Sequence, residues 1–174
     1  MATLMLDALK NEGKHAITVI NSRWAKVMVN GAKLEDESLD NGLLVELDGY
    51  DDEGVAKCKA FTGADGKDFF IVETYAEEQL QVDLGETDYK NFYNAKGEML
   101  RLVRHETGLR QETSAYEVAE EVTLAVGLPV EWDATNKKFN VVATSTKAIA
   151  TVVGVDTDFG FNCDTETIRI EYLK

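Results

Sequence analysis

The fold is decided by residues 127–155, whose sequence is GLPVEWDATNKKFNVVATSTKAIATVVGV. Val130 and Trp132 alternate with Glu131, residues 134–137 have the polar composition of a turn, and apolar runs follow it. Alternating β-branched and aromatic residues, interrupted by polar turns, indicate a half-buried antiparallel sheet. The stretch therefore predicts strand, turn, strand, short loop and strand.

The same pattern continues over the rest of the chain. The dipeptide Asn30-Gly31 predicts a turn, and residues 113–120 carry no clear pattern. The predicted fold class is mainly β, with antiparallel β-sandwich or barrel-like lobes and little helix. Further strands are predicted at 17–20, 24–29, 42–48, 55–61, 69–75, 99–103, 121–126 and 167–173.

A short internal echo predicts two related β lobes. Residues 42–48 (GLLVELD) and 127–133 (GLPVEWD) share Gly, Leu, Val, Glu and Asp at matching positions. The alternative is chance similarity between strands of like composition. The predicted organisation is an N-terminal arm at 1–14, a first β-rich lobe at 15–95 and a second β-rich lobe at 96–174.

Length and charge limit the classes of function. The chain has 174 residues and a net charge of -14, so it can bury a core without disulfides or metals. An acidic surface repels nucleic acid and anionic membranes, although its simplest role is solubility. The sequence contains no run of about 20 apolar residues, so no membrane span is predicted. The N-terminus lacks the features of a signal peptide, so we expect Cys58 and Cys163 to be free thiols.

The sequence offers little catalytic chemistry. His15 and His105 lie far from each other and from the two cysteines, and phosphate-binding loops are absent. We therefore expect no enzymatic activity and no cofactor. Two acidic clusters have the oxygen ligands that hard cations prefer, with solvated loop charge as the simpler interpretation. The clusters consist of Asp48, Asp51, Asp52 and Glu53, and of Asp156, Asp158 and Asp164.

The N-terminal arm is the candidate contact element. Its apolar residues are Leu4, Met5, Leu6 and Leu9. A helix this short is marginal without packing, so the arm must dock. It docks either on its own domain, which is the simpler interpretation, or on a neighbouring subunit.

The order of elements in residues 100–174 resembles the small β domains of tailed-phage capsid decoration proteins. The resemblance rests on Arg101-Leu102-Val103-Arg104, the strand at 127–133, the Val-Gly-Val end of 148–155, and the late Ile-Arg-Ile strand. It implies a non-enzymatic virion protein that binds and stabilises the outer capsid surface, made in the host cytoplasm. Its partners would be the major capsid protein and neighbouring copies of itself, as a homo-oligomer on the particle, without nucleic acid or membrane.

Two other classes remain open. One is a phage tail-tube or tail-completion subunit, which is also β-rich. The other is a β-sandwich module that binds carbohydrate or calcium, with Trp24, Trp132 and Tyr50 as an aromatic platform. Burial in the core is the commoner role for the two tryptophans.

Overall fold

The structure, a computed structural model, describes residues 18–20, 28–36, 38–64, 66–74, 92–155 and 166–173. Within these ranges the regular structure consists of strands without any helix, which confirms the mainly β fold class. The strands are β1 (Thr18–Ile20), β2 (Met28–Leu34), β3 (Ser38–Leu39), β4 (Leu44–Tyr50), β5 (Ala56–Ala60), β6 (Phe70–Val72), β7 (Asn94–Ala95), β8 (Met99–Arg104), β9 (Arg110–Thr113), β10 (Tyr116–Val118), β11 (Pro129–Asp133), β12 (Lys138–Val141), β13 (Ala150–Val155) and β14 (Ile168–Tyr172).

Five strands close into a barrel in the order β2-β5-β4-β6-β8. β2 and β5 run parallel, and the other neighbours are antiparallel. Because side chains alternate along a strand, each strand points one set into the lumen and the other outward. The lumen is filled by a buried cluster that includes Ala32, Leu34, Val45, Cys58, Phe70, Val72, Leu100 and Leu102.

A seven-stranded sheet, ordered β1-β9-β14-β13-β11-β12-β10, covers one outer wall of the barrel. On that wall Leu44, Ile71 and Val103 are neighbours in register. They share a second buried cluster with sheet residues that include Val130, Phe139, Val141, Val152, Ile168, Ile170 and Tyr172. Burying each such side chain contributes about 1.5–3 kcal/mol, so this shared core holds the sheet against the barrel.

The predicted turn at Asn30-Gly31 is wrong, because these residues lie inside β2. The pairing of β2 with β8 shifts register between Asn30 and Ala32, which is a β-bulge. Gly31 has a φ of 85°, a conformation that glycine adopts without strain. Val29 and Ala32 both contact the lumen cluster, so the bulge keeps the apolar face of β2 inward as the barrel closes.

The predicted strand at 121–126 is also wrong, because a loop joins β10 to β11. Glu121 has a φ of 65°, outside the range of a strand, and the Val122 N–H donates to the Ala119 carbonyl in a turn. Leu124 packs on the second core cluster while Thr123 is exposed. The alternating pattern therefore reflects partial burial of Leu124 against the core rather than strand pairing. Residues 113–120 contain the end of β9 and all of β10.

The two echo segments have the same structural environment. β4 lies between β5 and β6, as β11 lies between β12 and β13, with antiparallel pairing throughout. The Gly42 N–H donates to the Val72 carbonyl at 2.7 Å, and the Gly127 N–H donates to the Val152 carbonyl at 2.8 Å. Each valine N–H donates back to the residue after the glycine, at 3.1 and 2.9 Å. The two similar sequence segments are thus the central strands of two similar three-stranded units.

The sheets exchange strands across the predicted lobe boundary at 95/96. β8 follows that boundary yet completes the barrel, and β1 pairs with β9 in the seven-stranded sheet. The division into lobes at 15–95 and 96–174 stays a prediction, and the arm at 1–14 lies outside the described residues.

Candidate interaction surface

The β4–β5 hairpin extends beyond its neighbour β6 in the barrel wall. β6 pairs with β4 at Leu44 and Val45, whereas β5 continues along β4 to its end. Leu47 lies opposite Cys58 and Tyr50 lies opposite Ala56, with a bulge between Leu47 and Tyr50. Beyond Val45 the β6 side of β4 is therefore open, while β5 stays paired with β2 at Lys57 and Cys58.

A side-chain cap fixes the turn at the hairpin tip. Asp51 Oδ1 accepts hydrogen bonds from the Glu53 N–H at 3.0 Å and from the Val55 N–H at 2.9 Å. Gly54 turns the chain with a φ of 80°. The bond from Val55 is the main reason that the pKa of Asp51 lies below its usual value. The Asp51 carboxylate thus stabilises the backbone of the turn.

Two apolar side chains are exposed on this hairpin. Leu47 is 41% exposed and Tyr50 is 73% exposed. Residues directly opposite in an antiparallel pair point to the same face, and Cys58 points into the lumen. Leu47 therefore lies on the lumen-facing side of β4, beyond the last residue that pairs with β6, and it is only partly covered.

The opposite face of the hairpin stem carries alternating charges. Lys57 Nζ bonds Glu35 at 2.8 Å, Lys59 Nζ bonds Asp48 at 2.9 Å, and Lys33 Nζ lies 3.8 Å from Asp51. These pairs join neighbouring strands and align the stem with the barrel wall.

The ion pairs shift the pKa values of Lys57, Lys59 and Asp48. The hydrogen bond to Glu35 raises the pKa of Lys57, and the bond to Asp48 raises that of Lys59. The Lys59 bond holds the pKa of Asp48 below its usual value. Asp52 and Glu53 lie exposed at the tip, outside these pairs.

A buried carboxylate anchors the base of the hairpin. Glu46 is 2% exposed, and its Oε1 accepts a 2.7 Å hydrogen bond from Lys67 while its Oε2 accepts one of 2.9 Å from the Thr62 hydroxyl. Burial opposes ionisation, but these bonds outweigh it, so the pKa of Glu46 lies below its usual value. At the matching position of the echo, Glu131 accepts from the Ser145 hydroxyl. Each glutamate fixes a loop after the second strand of its unit.

The first acidic cluster is not assembled around an ion position. Asp51 caps the turn and Asp48 pairs with Lys59. Within the described ranges, no group of three or more acidic, histidine or cysteine side chains has the arrangement of a metal site. The second cluster, at 156–164, lies outside those ranges.

The aromatic residues do not form one platform. Trp132 packs against both core clusters, and its Nε1–H donates a 2.9 Å hydrogen bond to the Phe61 carbonyl. The core interpretation of Trp132 is confirmed, which separates it from the exposed Tyr50. Trp24 lies outside the described residues.

Cys58 and His105 are engaged separately. The Cys58 thiol lies in the barrel lumen, 3.6 Å from the Lys33 carbonyl, and burial raises its pKa to about 12. The His105 ring stacks on Phe69 with centroids 3.7 Å apart, and its Nδ1 lies 2.8 Å from the Phe69 carbonyl. Neither arrangement provides an activated nucleophile.

The sequence predicted the two strands of this hairpin and offered Tyr50 as an exposed aromatic residue, but it did not identify the hairpin as a contact element. The predicted contact residues Leu4, Met5, Leu6 and Leu9 lie outside the described residues, so that prediction stays open. The available signal was Tyr50, a lone aromatic residue amid an acidic turn. In the described part of the chain, no helix is long and apolar enough to cross a bilayer.

The fold defines a mainly β protein that joins a closed barrel to an open sheet. The chain belongs to the YonC prophage protein family, whose sequence model matches residues 11–173. It is similar to the SPbeta prophage-derived uncharacterized protein YonC of Bacillus subtilis (strain 168), at 32% identity over 141 residues, covering 80% of this chain and 75% of the relative. No solved structure matches the chain. The phage origin implied by the resemblance is thus supported.

Proposed function

We propose that this protein is a non-enzymatic virion subunit that binds and stabilises the outer surface of a phage capsid. The observation that carries the proposal is the outer part of the β4–β5 hairpin, which exposes Leu47 and Tyr50 on a stem braced by ion pairs. Aromatic side chains such as Tyr50 are enriched among the residues that anchor protein contacts. Membership of a prophage protein family supports a role in a phage particle.

The charge of the chain favours the outside of the particle. A net charge of -14 opposes approach to packaged DNA. The proposed partners are therefore the major capsid protein and neighbouring copies of this chain, without nucleic acid, membrane or cofactor. The proposed location is the outer face of the virion, after synthesis in the host cytoplasm.

Copy number on purified particles tests this function. Quantitative mass spectrometry should find the chain at a number close to that of the major shell protein. A count in the tens would contradict decoration and favour the tail-tube or tail-completion alternative. Absence from particles would contradict both and direct attention to glycan and calcium binding.

Deletion of residues 2–13 tests the arm separately. If Leu4, Met5, Leu6 and Leu9 contact capsid neighbours, the truncated chain should keep its melting temperature and lose cosedimentation with shells. Saturation of the shells by the truncated chain would exclude the arm as the contact element.

A further inference from the structure

We propose that the tip of the β4–β5 hairpin docks into an apolar pocket on the shell protein, and that lysine and arginine side chains line the rim of this pocket. Tyr50 would enter the pocket, and Leu47 would cover its edge. The inference rests on the proposed function and names the chemistry of the partner surface.

The first support is the comparison between the two echo units. β11 ends at Asp133, and the turn returns at once to Lys138, which pairs with Asp133 in register. β4 instead continues past the matching Asp48 to Tyr50 before the chain turns. The shorter unit shows that the three-stranded fold is complete without this extension. The additional length is therefore available for contact.

The second support is that the extension is ordered before binding. The Asp51 cap fixes the tip, and the Lys57–Glu35 and Lys59–Asp48 pairs join the stem to neighbouring strands. An ordered element loses less conformational entropy on binding than a flexible one. Tyrosine adds a large contact area with few rotatable bonds.

The third support is charge, which selects the partner. Asp52 and Glu53 flank the turn and are exposed. A second copy of this chain, also at a net charge of -14, is electrostatically unfavourable as the occupant. A basic rim around an apolar pocket complements both the carboxylates and Tyr50.

The test is cosedimentation of the full chain with shells of the source phage assembled without it. Tyr50→Ser and Leu47→Ser should each weaken binding, by about tenfold or more for Tyr50→Ser. Val126→Ser is the matched control, because Val126 is 64% exposed in the loop before β11. It should bind like the parent, and all variants should keep the parent melting temperature.

The charge of the rim is tested by reversal. Asp52→Lys with Glu53→Lys should weaken binding by about tenfold, and added salt should weaken binding of the parent. Glu120→Lys with Glu166→Lys makes the same change in net charge at exposed positions elsewhere and should have little effect.

The outcomes separate the two proposals. If the parent binds and Tyr50→Ser binds equally well, the docking inference is wrong while the capsid function stands. If the charge reversal alone leaves binding to the shells unchanged, the proposed basic rim is wrong. If Val126→Ser weakens binding as much as Tyr50→Ser, the hairpin is not the specific contact. If the parent does not bind shells, the proposed function and this inference both fail.

Discussion

The Tyr172 hydroxyl donates a 2.7 Å hydrogen bond to Gln111 Oε1 inside the core shared by the barrel and the seven-stranded sheet. Gln111 Nε2 donates in turn to the Gly42 carbonyl at 2.7 Å, just before β4. Both side chains are at most 1% exposed. This polar link therefore fixes how the sheet sits on the barrel, because a shifted register would leave buried polar atoms without partners.

Tyr172→Phe should lower the free energy of unfolding by about 0.5–1.5 kcal/mol, because it removes the buried hydrogen bond from the Tyr172 hydroxyl to Gln111 Oε1. Urea denaturation followed by circular dichroism measures the loss. Tyr50→Phe removes the same hydroxyl from a 73% exposed side chain and should change stability little. Equal effects of the two substitutions would contradict the structural role of the link.

Glu46→Gln should cost about 1–3 kcal/mol at pH 7, because hydrogen bonds to a carboxylate are stronger than those to an amide. The matched control is Glu117→Gln, which removes an exposed 2.6 Å pair with Lys138 and should cost less than about 1 kcal/mol. Chemical denaturation of both variants measures the difference.

The pH dependence of Glu46 has a defined sign. Its pKa in the folded protein lies below its usual value. Glutamate in an unfolded chain has a pKa of about 4.3. The carboxylate therefore stabilises the fold above the unfolded pKa, and this contribution is lost as pH falls through the folded pKa. Glu46→Gln should make the acid decline in stability shallower, and an unchanged decline would exclude Glu46 as a contributor.

Cys58 should be nearly inert in the folded protein. With a pKa of about 12, only about one thiol in ten thousand is ionised at pH 8, and the thiolate is the reactive form. In a Cys163→Ser variant, a thiol-reactive chromophore should label the native protein far more slowly than the urea-unfolded protein. Rapid stoichiometric labelling of the native variant would show that the barrel lumen is open to solvent.

Glu121→Gly should raise the free energy of unfolding by about 0.5–1 kcal/mol. Glu121 has a φ of 65°, which is strained for a residue with a Cβ and free of strain for glycine. Glu120 is not among the residues with positive φ, so Glu120→Gly should lower stability through the greater freedom of the unfolded chain. Thermal denaturation of the pair should therefore show shifts of opposite sign.

Most strand positions could be predicted because side-chain alternation is a local property. The three strands within 127–155 occur as predicted, at β11, β12 and β13. The same rule failed at 121–126, where Leu124 is half-buried without strand pairing. It failed again at Asn30-Gly31, because a turn dipeptide also suits a bulge, and the pairing of β2 with the distant β8 decides between them.

The sequence by itself determined the β character of this protein, the echo between 42–48 and 127–133, and its acidic charge. Only the tertiary structure decided that the first unit joins a closed barrel, that Gln111 meets Tyr172, and that Leu47 and Tyr50 remain uncovered. The reason is that alternation specifies two faces for each strand, whereas contacts between residues far apart in the chain decide what covers each face.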